Sequence, residues 1–199
     1  MTSREQILAR VKSNQPDLKP LPEAVNAVFT AATKASPSCN VEQFRTVLTT
    51  IGGTLIEVSG YEEIAAYIQS NYTAGQRVIS TIPELSAVTE QGWEDQDPHS
   101  YENIDLAILT AHFGVAENAG LWITEALMQQ RVVPFICQQL AVVVSKNGIL
   151  TTMHEAYTHI GNAEYGFGAF IAGPSKTADI EQSLVLGAHG PKGMTVFLI

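Results

Sequence analysis

The amino-acid sequence predicts an α/β fold, a mostly parallel sheet with helices on both faces. Apolar runs of strand length alternate with segments of helical periodicity along most of the chain, which is typical of a parallel sheet covered on both sides. The 199 residues are 45% hydrophobic and 16% charged, an ordinary composition for one globular domain with a full core. No internal repeat or low-complexity tract interrupts this alternation.

The charge of the chain argues against two classes of partner. The formal net charge is −9, and lysine and arginine form no run anywhere. A surface that follows nucleic-acid phosphates or an anionic membrane needs clustered cations, so neither partner is expected. No apolar stretch approaches the roughly 18–20 residues of a membrane span, and the first ten residues are polar rather than a signal peptide. We therefore expect a cytoplasmic chain.

The cysteines argue against a metal centre in this chain. Cys39 and Cys137 are distant in sequence and belong to no C-x-x-C or Cys/His cluster. The pattern predicts no zinc site, no iron–sulfur cluster held by the chain itself, and two reduced thiols.

The chain divides by pattern into a helical extension and linker over residues 1–38 and an α/β domain over residues 39–199. Thr2 and Glu5 form a T-x-x-E capping box, which predicts a short helix at the start of the extension. In the domain, a helix is predicted from Asn40, where apolar residues recur at helical spacing, to the pair Gly52-Gly53. Strands are predicted at 54–59, 77–82, 104–110, 121–124 and 140–145, and further helices at 61–68 and 153–160. Residues 91–103 are predicted to be a solvated surface loop.

The last thirty residues predict strand, turn, helix, loop and strand. Residues 169–172 form a short apolar run that ends at Gly173-Pro174, where the chain must turn. Ser175 is placed to cap a new helix, and residues 194–199 form a final apolar strand. Two strands joined by one helix predict a right-handed βαβ unit.

The start of that predicted helix indicates an anion-binding site. In an open α/β sheet, ligands bind outside the carboxyl ends of the strands, against the free amides of the next helix. Gly173, Ser175, Lys176 and Thr177 occupy this position, and a lysine in a first helical turn is explained if an anion binds beside it. The alternative is that Lys176 points into water while Asp179 offsets its charge. Asp179 and Glu181 are predicted to be supporting residues in the first turns of the helix.

The same residues resemble a known family. The stretch GPSKTADIEQSLVLGAHGP is similar to the C-terminal signature of the LUD-domain family, of the lactate-utilisation protein C type. A second match is GVAENAGLWIT, residues 114–124, in which Asn118, Ala119 and Gly120 replace the usual Thr, Gly and Thr. The resemblance implies the superfold shared by ribose-5-phosphate isomerase and the CoA-transferases.

The resemblance also implies a function. It implies an accessory or substrate-handling subunit in L-lactate utilisation, which binds a small anionic substrate while iron–sulfur partner subunits carry the electrons of oxidation to pyruvate. A homodimer is the default expectation for its assembly.

Glu117 and His189 are the candidate catalytic residues. Glu117 lies in a polar interruption between two strands, supported by Asn118 and Gly120, and is a candidate acid, base or nucleophile. His189 lies in a glycine-rich turn and could transfer a proton near neutral pH. The structural alternatives are that Glu117 caps loop amides and that His189 holds the turn. His112, at the end of a strand, is a further candidate, whereas His159 is interpreted as a surface residue.

Two other functions remain open at this stage. One is an independent enzyme on a sugar phosphate or an acyl-CoA, with Glu117 as base or nucleophile and Lys176 on the anion. The other is a binding or assembly module without turnover. Convergence of Glu117 and Lys176 in one cleft would favour the enzyme, and wide separation the module.

Overall fold

The structure is a computed structural model that describes residues 2–16, 37–178, 184–187 and 189–199. The chain divides into two compact units, Met1–Lys34 and Ala35–Ile199. In the first unit, helix α1 (Ser3–Ser13) begins with the predicted capping box, in which Thr2 Oγ1 accepts from the Glu5 amide and the Glu5 carboxylate accepts from the Thr2 amide. The predicted division at residue 38 stays a prediction.

The second unit contains helices and strands in alternation. Its described helices are α2 (Pro37–Thr50), α3 (Tyr61–Asn71), α4 (Glu125–Met128), α5 (Val133–Ile136) and α6 (Met153–Ile160). Its described strands are β1 (Thr54–Glu57), β2 (Val78–Ser80), β3 (Leu106–Thr110), β4 (Phe113–Val115), β5 (Gly120–Thr124), β6 (Gln139–Val144), β7 (Ile149–Leu150), β8 (Gly168–Ile171), β9 (Lys176–Ala178), β10 (Leu184–Leu186) and β11 (Gly193–Leu198). Within these residues, no helix combines the length and hydrophobicity that a membrane span requires.

A five-stranded parallel sheet forms the centre of this unit. Its strand order is β1-β11-β6-β3-β2, and every neighbouring pair is parallel. Adjacent residues of β6 serve different cores: Val142 packs in a cluster with Phe44 of α2, and Val143 packs in a cluster with Ile64 of α3. Successive strand residues point to opposite faces, so helices cover both faces of this sheet, and the predicted fold class is confirmed.

A second sheet lies on the α2 side of the central sheet. Its order is β7-β4-β5-β8, with antiparallel pairs between β4 and β5 and between β5 and β8. Leu121 and Ile123 of β5 pack into the same core as α2, whereas Trp122 between them packs with Ala156 of α6 on the outer side. The strand predicted at 169–172 therefore belongs to a different sheet from the final strand, and the predicted βαβ unit is wrong.

The helix predicted to begin at Ser175 is also wrong. Residues 176–178 form β9, which pairs antiparallel with β10 at residues 184–186. Long-range backbone bonds fix this arrangement, because the Ser175 amide donates to the Pro191 carbonyl at 2.9 Å and the Gly187 amide donates to the Ser175 carbonyl at 3.0 Å. A short apolar stretch fits a strand as well as a helix, and these partners decide for the strand. Asp179 and Glu181 lie outside the described residues.

Candidate functional site

Lys176 is predicted to lie at the N-terminus of a helix, but in the structure it lies beside the C-terminus of helix α2. Its side chain is exposed, and its Cε and Nζ atoms lie 3.8 and 3.9 Å from the position that a Cβ on Gly52 would occupy. Gly52 follows Thr50, the last residue of α2, so the ammonium group faces the C-terminal, partly negative end of that helix. This placement favours a cation without any bound anion. The physical reason given for the anion site is therefore absent, and anion binding by Lys176 stays a prediction.

Several described residues of the C-terminal signature bond one another. Gly173 has a φ of 69°, a left-handed conformation that allows the chain to turn from β8 towards β9. Ser175 uses its amide and carbonyl to bond Pro191 and Gly187, so the two halves of the signature form one folded turn. His189 is exposed in this turn, and Thr177 lies in β9. The positive φ explains the glycine at position 173, while the functional roles of Ser175, His189 and Thr177 stay predictions.

Glu117 caps the N-terminus of α6. Its Oε2 accepts from the Met153 amide at 2.8 Å, and its own amide donates to the Thr151 carbonyl at 3.1 Å. A carboxylate in this position satisfies one of the free amides of the first helical turn and interacts favourably with the helix dipole. Asn118 Oδ1 accepts from the Gly120 amide at 2.9 Å, which closes the adjoining turn. The residues predicted around Glu117 thus form a structural unit with α6.

Helix α2 separates Glu117 from Lys176. Near its start, Asn40 Nδ2 donates to Thr151 Oγ1 at 3.2 Å, and Thr151 in turn bonds Glu117. Its other end leads to Gly52, beside Lys176. The 14 residues of α2 span about 20 Å. The structure therefore places the two residues towards opposite ends of this helix and does not bring them together in one cleft.

Substitution of Glu117 tests its capping role. We expect Glu117→Ala to lower the free energy of unfolding by about 1 kcal/mol because the Met153 amide loses its acceptor. Glu117→Gln retains an acceptor oxygen and loses only the charge, so it should cost less, about 0.3–1 kcal/mol. Urea denaturation of both variants, with the exposed Glu102→Gln as control, measures the difference. Wild-type stability of Glu117→Ala would contradict the cap, and a catalytic role predicts in addition that Glu117→Gln abolishes turnover.

A cavity of about 370 Å³ lies where an α/β sheet usually binds ligands. His112, two residues beyond the end of β3, lines it, and ligand sites of open α/β sheets lie outside the carboxyl ends of the strands. The lining residues come from β4, β5, α4, α6 and the segment that follows α6: His112, Phe113, Trp122, Thr124, Ala126, His159, Ile160, Ala163, Glu164 and Tyr165. This cavity is the best candidate for a functional site among the described residues.

The polar end of the cavity is a histidine–threonine pair. His112 Nε2 lies 2.8 Å from Thr124 Oγ1, and Thr124 is buried, with 6% of its surface exposed. His112 itself is exposed, and its partial desolvation, together with the neighbouring His159, lowers its pKa below the usual 6.5. The imidazole is therefore neutral at pH 7 and offers one donor and one acceptor.

The walls of the cavity are aromatic. Phe113 and Trp122 are cross-strand partners on β4 and β5, and only 3% and 7% of their surfaces are exposed. The ring centroids of Phe113 and His159 lie 5.2 Å apart at 79°, and those of Trp122 and Tyr165 lie 5.1 Å apart at 88°. Both are edge-to-face pairs, a preferred aromatic geometry. His159 is exposed, as interpreted from sequence, and it also contributes to the cavity wall.

Metal chemistry finds no support in the described part of the chain. Among the described residues, no group of three His, Cys, Asp or Glu side chains is placed to hold a metal ion. Cys137 is buried, and its burial raises the pKa of the thiol to about 12. The thiol is therefore protonated, which makes it a poor ligand and nucleophile.

Comparison with known proteins gives one family and several relatives. The family model of the LUD domain matches residues 88–199, which include the cavity and the C-terminal signature. A lactate utilization protein C from Bacillus pumilus is 31% identical over 110 residues, 49% of this chain and 46% of that protein. A protein of the same name from Exiguobacterium sp. is 24% identical over 178 residues, 80% of this chain and 77% of that protein. The chain spans about half the length of most of these curated relatives.

A solved structure has the same fold. The crystal structure of a DUF162 family protein from Deinococcus radiodurans superposes with a TM-score of 0.60 and covers 82% of this chain and 98% of that one. The sequence identity is 14%, so this likeness concerns the fold alone.

Proposed function

Because the chain belongs to the LUD-domain family, whose model matches residues 88–199 of its 199, we propose that it acts in lactate utilisation. In this role it is an accessory or substrate-handling subunit, and iron–sulfur partner proteins carry the electrons of lactate oxidation to pyruvate. The observation that carries the proposal is the similarity to proteins named lactate utilization protein C, which in the Exiguobacterium relative extends over 80% of this chain and 77% of that protein.

The cysteine content supports the assignment of electron transfer to partner proteins. An iron–sulfur cluster is usually held by four cysteine thiolates, whereas these 199 residues contain two cysteines. Cys137, the one whose surroundings are described, is buried in the core. Electron transfer through such clusters would therefore require ligands from outside these 199 residues.

The alternative enzyme on a sugar phosphate or an acyl-CoA receives no support from the contacts of its proposed residues. Glu117 is engaged at the start of α6, and Lys176 lies beyond the far end of α2. A binding or assembly module without turnover agrees with this separation, and it is compatible with an accessory role in lactate utilisation.

A genetic experiment tests the proposed role. In the source organism, loss of the gene should abolish or strongly slow growth on L-lactate as sole carbon source, leave growth on glucose unchanged, and be corrected by the wild-type gene. Extracts of the mutant should also lose lactate-dependent dye reduction. Normal growth and normal dye reduction in the mutant would refute the role. Purification of the tagged full chain from lactate-grown cells, followed by iron analysis, tests the partner proteins separately.

A further inference from the structure

We propose that the cavity beside His112 binds an uncharged, planar conjugated ring that carries a carbonyl oxygen at its edge, the chemical class of quinones and of nicotinamide. This inference rests on the cavity alone and does not depend on the role in lactate utilisation. Its three supports are the charge of the lining residues, the shape of the walls and an unfilled hydrogen-bonding position.

The lining charges disfavour an anion. None of the residues that line the cavity is a lysine or an arginine, and one of them, Glu164, is acidic. His112 is neutral at pH 7 because its pKa is lowered. A carboxylate or phosphate in this cavity would therefore lose water without gaining a cationic partner, which is unfavourable. An uncharged ligand does not meet this cost.

The walls suit a flat ring. Phe113 and Trp122 line one side from the second sheet, and Tyr165 follows from the segment after α6 with 37% of its surface exposed. Aromatic side chains pack well against other rings in offset or edge-to-face arrangements. The volume of about 370 Å³ lies within the range of about 300–1,000 Å³ that is typical of sites for organic ligands and cofactors.

The histidine–threonine pair leaves one donor without a partner. If His112 Nε2 carries the proton and donates to Thr124 Oγ1, the threonine hydroxyl hydrogen is free; if the hydroxyl donates to Nε2, the Nδ1–H of the ring is free. His112 is the partner recorded for the Thr124 hydroxyl within the described part of the chain. A ligand carbonyl would accept from the free donor. The cost of leaving that donor without a partner applies to the buried Thr124 hydroxyl, whereas the Nδ1–H of the exposed His112 can bond water.

Ligand-observed NMR on the full chain tests the proposal. Duroquinone is the first probe, because its ring is fully substituted and does not alkylate thiols, and nicotinamide is the second. We expect saturation transfer from the protein to at least one of them, and binding should weaken about tenfold in Thr124→Val, which removes the hydroxyl, and be retained in Thr124→Ser. Tyr165→Ala should weaken binding, whereas Tyr157→Ala, which removes an exposed tyrosine of α6 outside the cavity, should not.

The two probes and the variants separate the outcomes. Binding of duroquinone alone would assign the quinone class, and binding of nicotinamide alone the nicotinamide class. Absence of binding for both probes would overturn the proposal, as would equal binding by wild type, Thr124→Val and Tyr165→Ala. Tight binding of L-lactate that is lost in Thr124→Val would also overturn it, because the cavity would then take an anion. Circular dichroism checks the fold of each variant, and Tyr165→Ala keeps the test valid if Thr124→Val does not fold.

Discussion

Replacement of Phe44 by alanine is expected to lower the free energy of unfolding by about 3–5 kcal/mol. Phe44 has no exposed surface, and its Cε2 atom lies 3.1 Å from the position that a Cβ on Gly114 of β4 would occupy. It shares a core cluster with Leu140 and Val142 of the central sheet. The side chain thus joins α2 to both sheets, and a cavity in its place would remove contacts on every side.

Urea denaturation of the full chain, followed by circular dichroism, measures this loss. Phe135→Ala is the matched control, because Phe135 is 41% exposed and should cost far less. Equal losses in the two variants would show that Phe44 does not have the central packing role assigned to it.

Replacement of Arg77 by methionine is expected to lower the free energy of unfolding by about 3 kcal/mol. The guanidinium group donates to both carboxylate oxygens of Glu90, at 2.7 and 3.0 Å. Its remaining hydrogens bond the Ser100 carbonyl at 2.5 Å and the side chains of Asn103 and Gln96 at 2.7 and 2.9 Å. Methionine would leave these acceptors without a donor. Arg77→Lys should restore only part of the stability, because an ammonium cannot reproduce the planar fork.

The Arg77–Glu90 pair also predicts a pH dependence. The hydrogen bond from Arg77 is the first cause that holds the pKa of Glu90 below its usual 4.5, so the folded state binds its proton less readily than the unfolded state. The stability from this pair is therefore present above pH 4.5 and lost as the pH falls through the lower folded-state pKa. The difference in free energy of unfolding between wild type and Arg77→Met should become smaller over that pH range. A double-mutant cycle with Glu90→Gln isolates the pair, and a gap that stays constant down to pH 3 would contradict the assignment.

The central sheet could be predicted from sequence because its signals are local. The helix predicted from Asn40 to Gly52 is α2, which begins at Pro37 and ends at Thr50. The strands predicted at 54–59 and 104–110 are β1 and β3, each shorter than predicted at one end. Helical spacing and continuous apolar runs are readable within a window of a few turns. The fold class followed from these elements.

Non-local contacts explain where two other predictions differ from the structure. Residues 91–103 are predicted to be a solvated surface loop, and most of them are exposed. Trp93 and Tyr101 are the exceptions: both are fully buried, and the Tyr101 hydroxyl donates to the Trp93 carbonyl at 2.7 Å. Arg77, far away in sequence, organises this segment. Ser175 has the local pattern of a helix cap, but its backbone partners are Pro191 and Gly187. The contacts of Arg77 and those of Ser175 join residues that are distant in sequence, so no local pattern predicts them.

The candidate site was predictable only in part. His112 stood out because it follows a buried strand, which is the usual position of ligand-binding groups. Its partner Thr124 and the aromatic wall depend on the pairing of β4 with β5, which places Phe113 opposite Trp122. The strands are short, and their register cannot be read from a three-residue and a five-residue segment alone.

Because β11 lies between β1 and β6, the central sheet cannot be completed until residues 193–198 have been synthesised. Thr54 pairs with Thr195, so a nascent polypeptide has made all the intervening residues before β1 finds its neighbour. At about 5–20 residues per second this wait is on the order of ten seconds. From the completion of β6 until β11 follows, one apolar edge of β6 is open to other chains. Ribosome-associated chaperones are therefore expected to matter for the yield of this protein, and polypeptides that stop short of residue 193 are expected to aggregate.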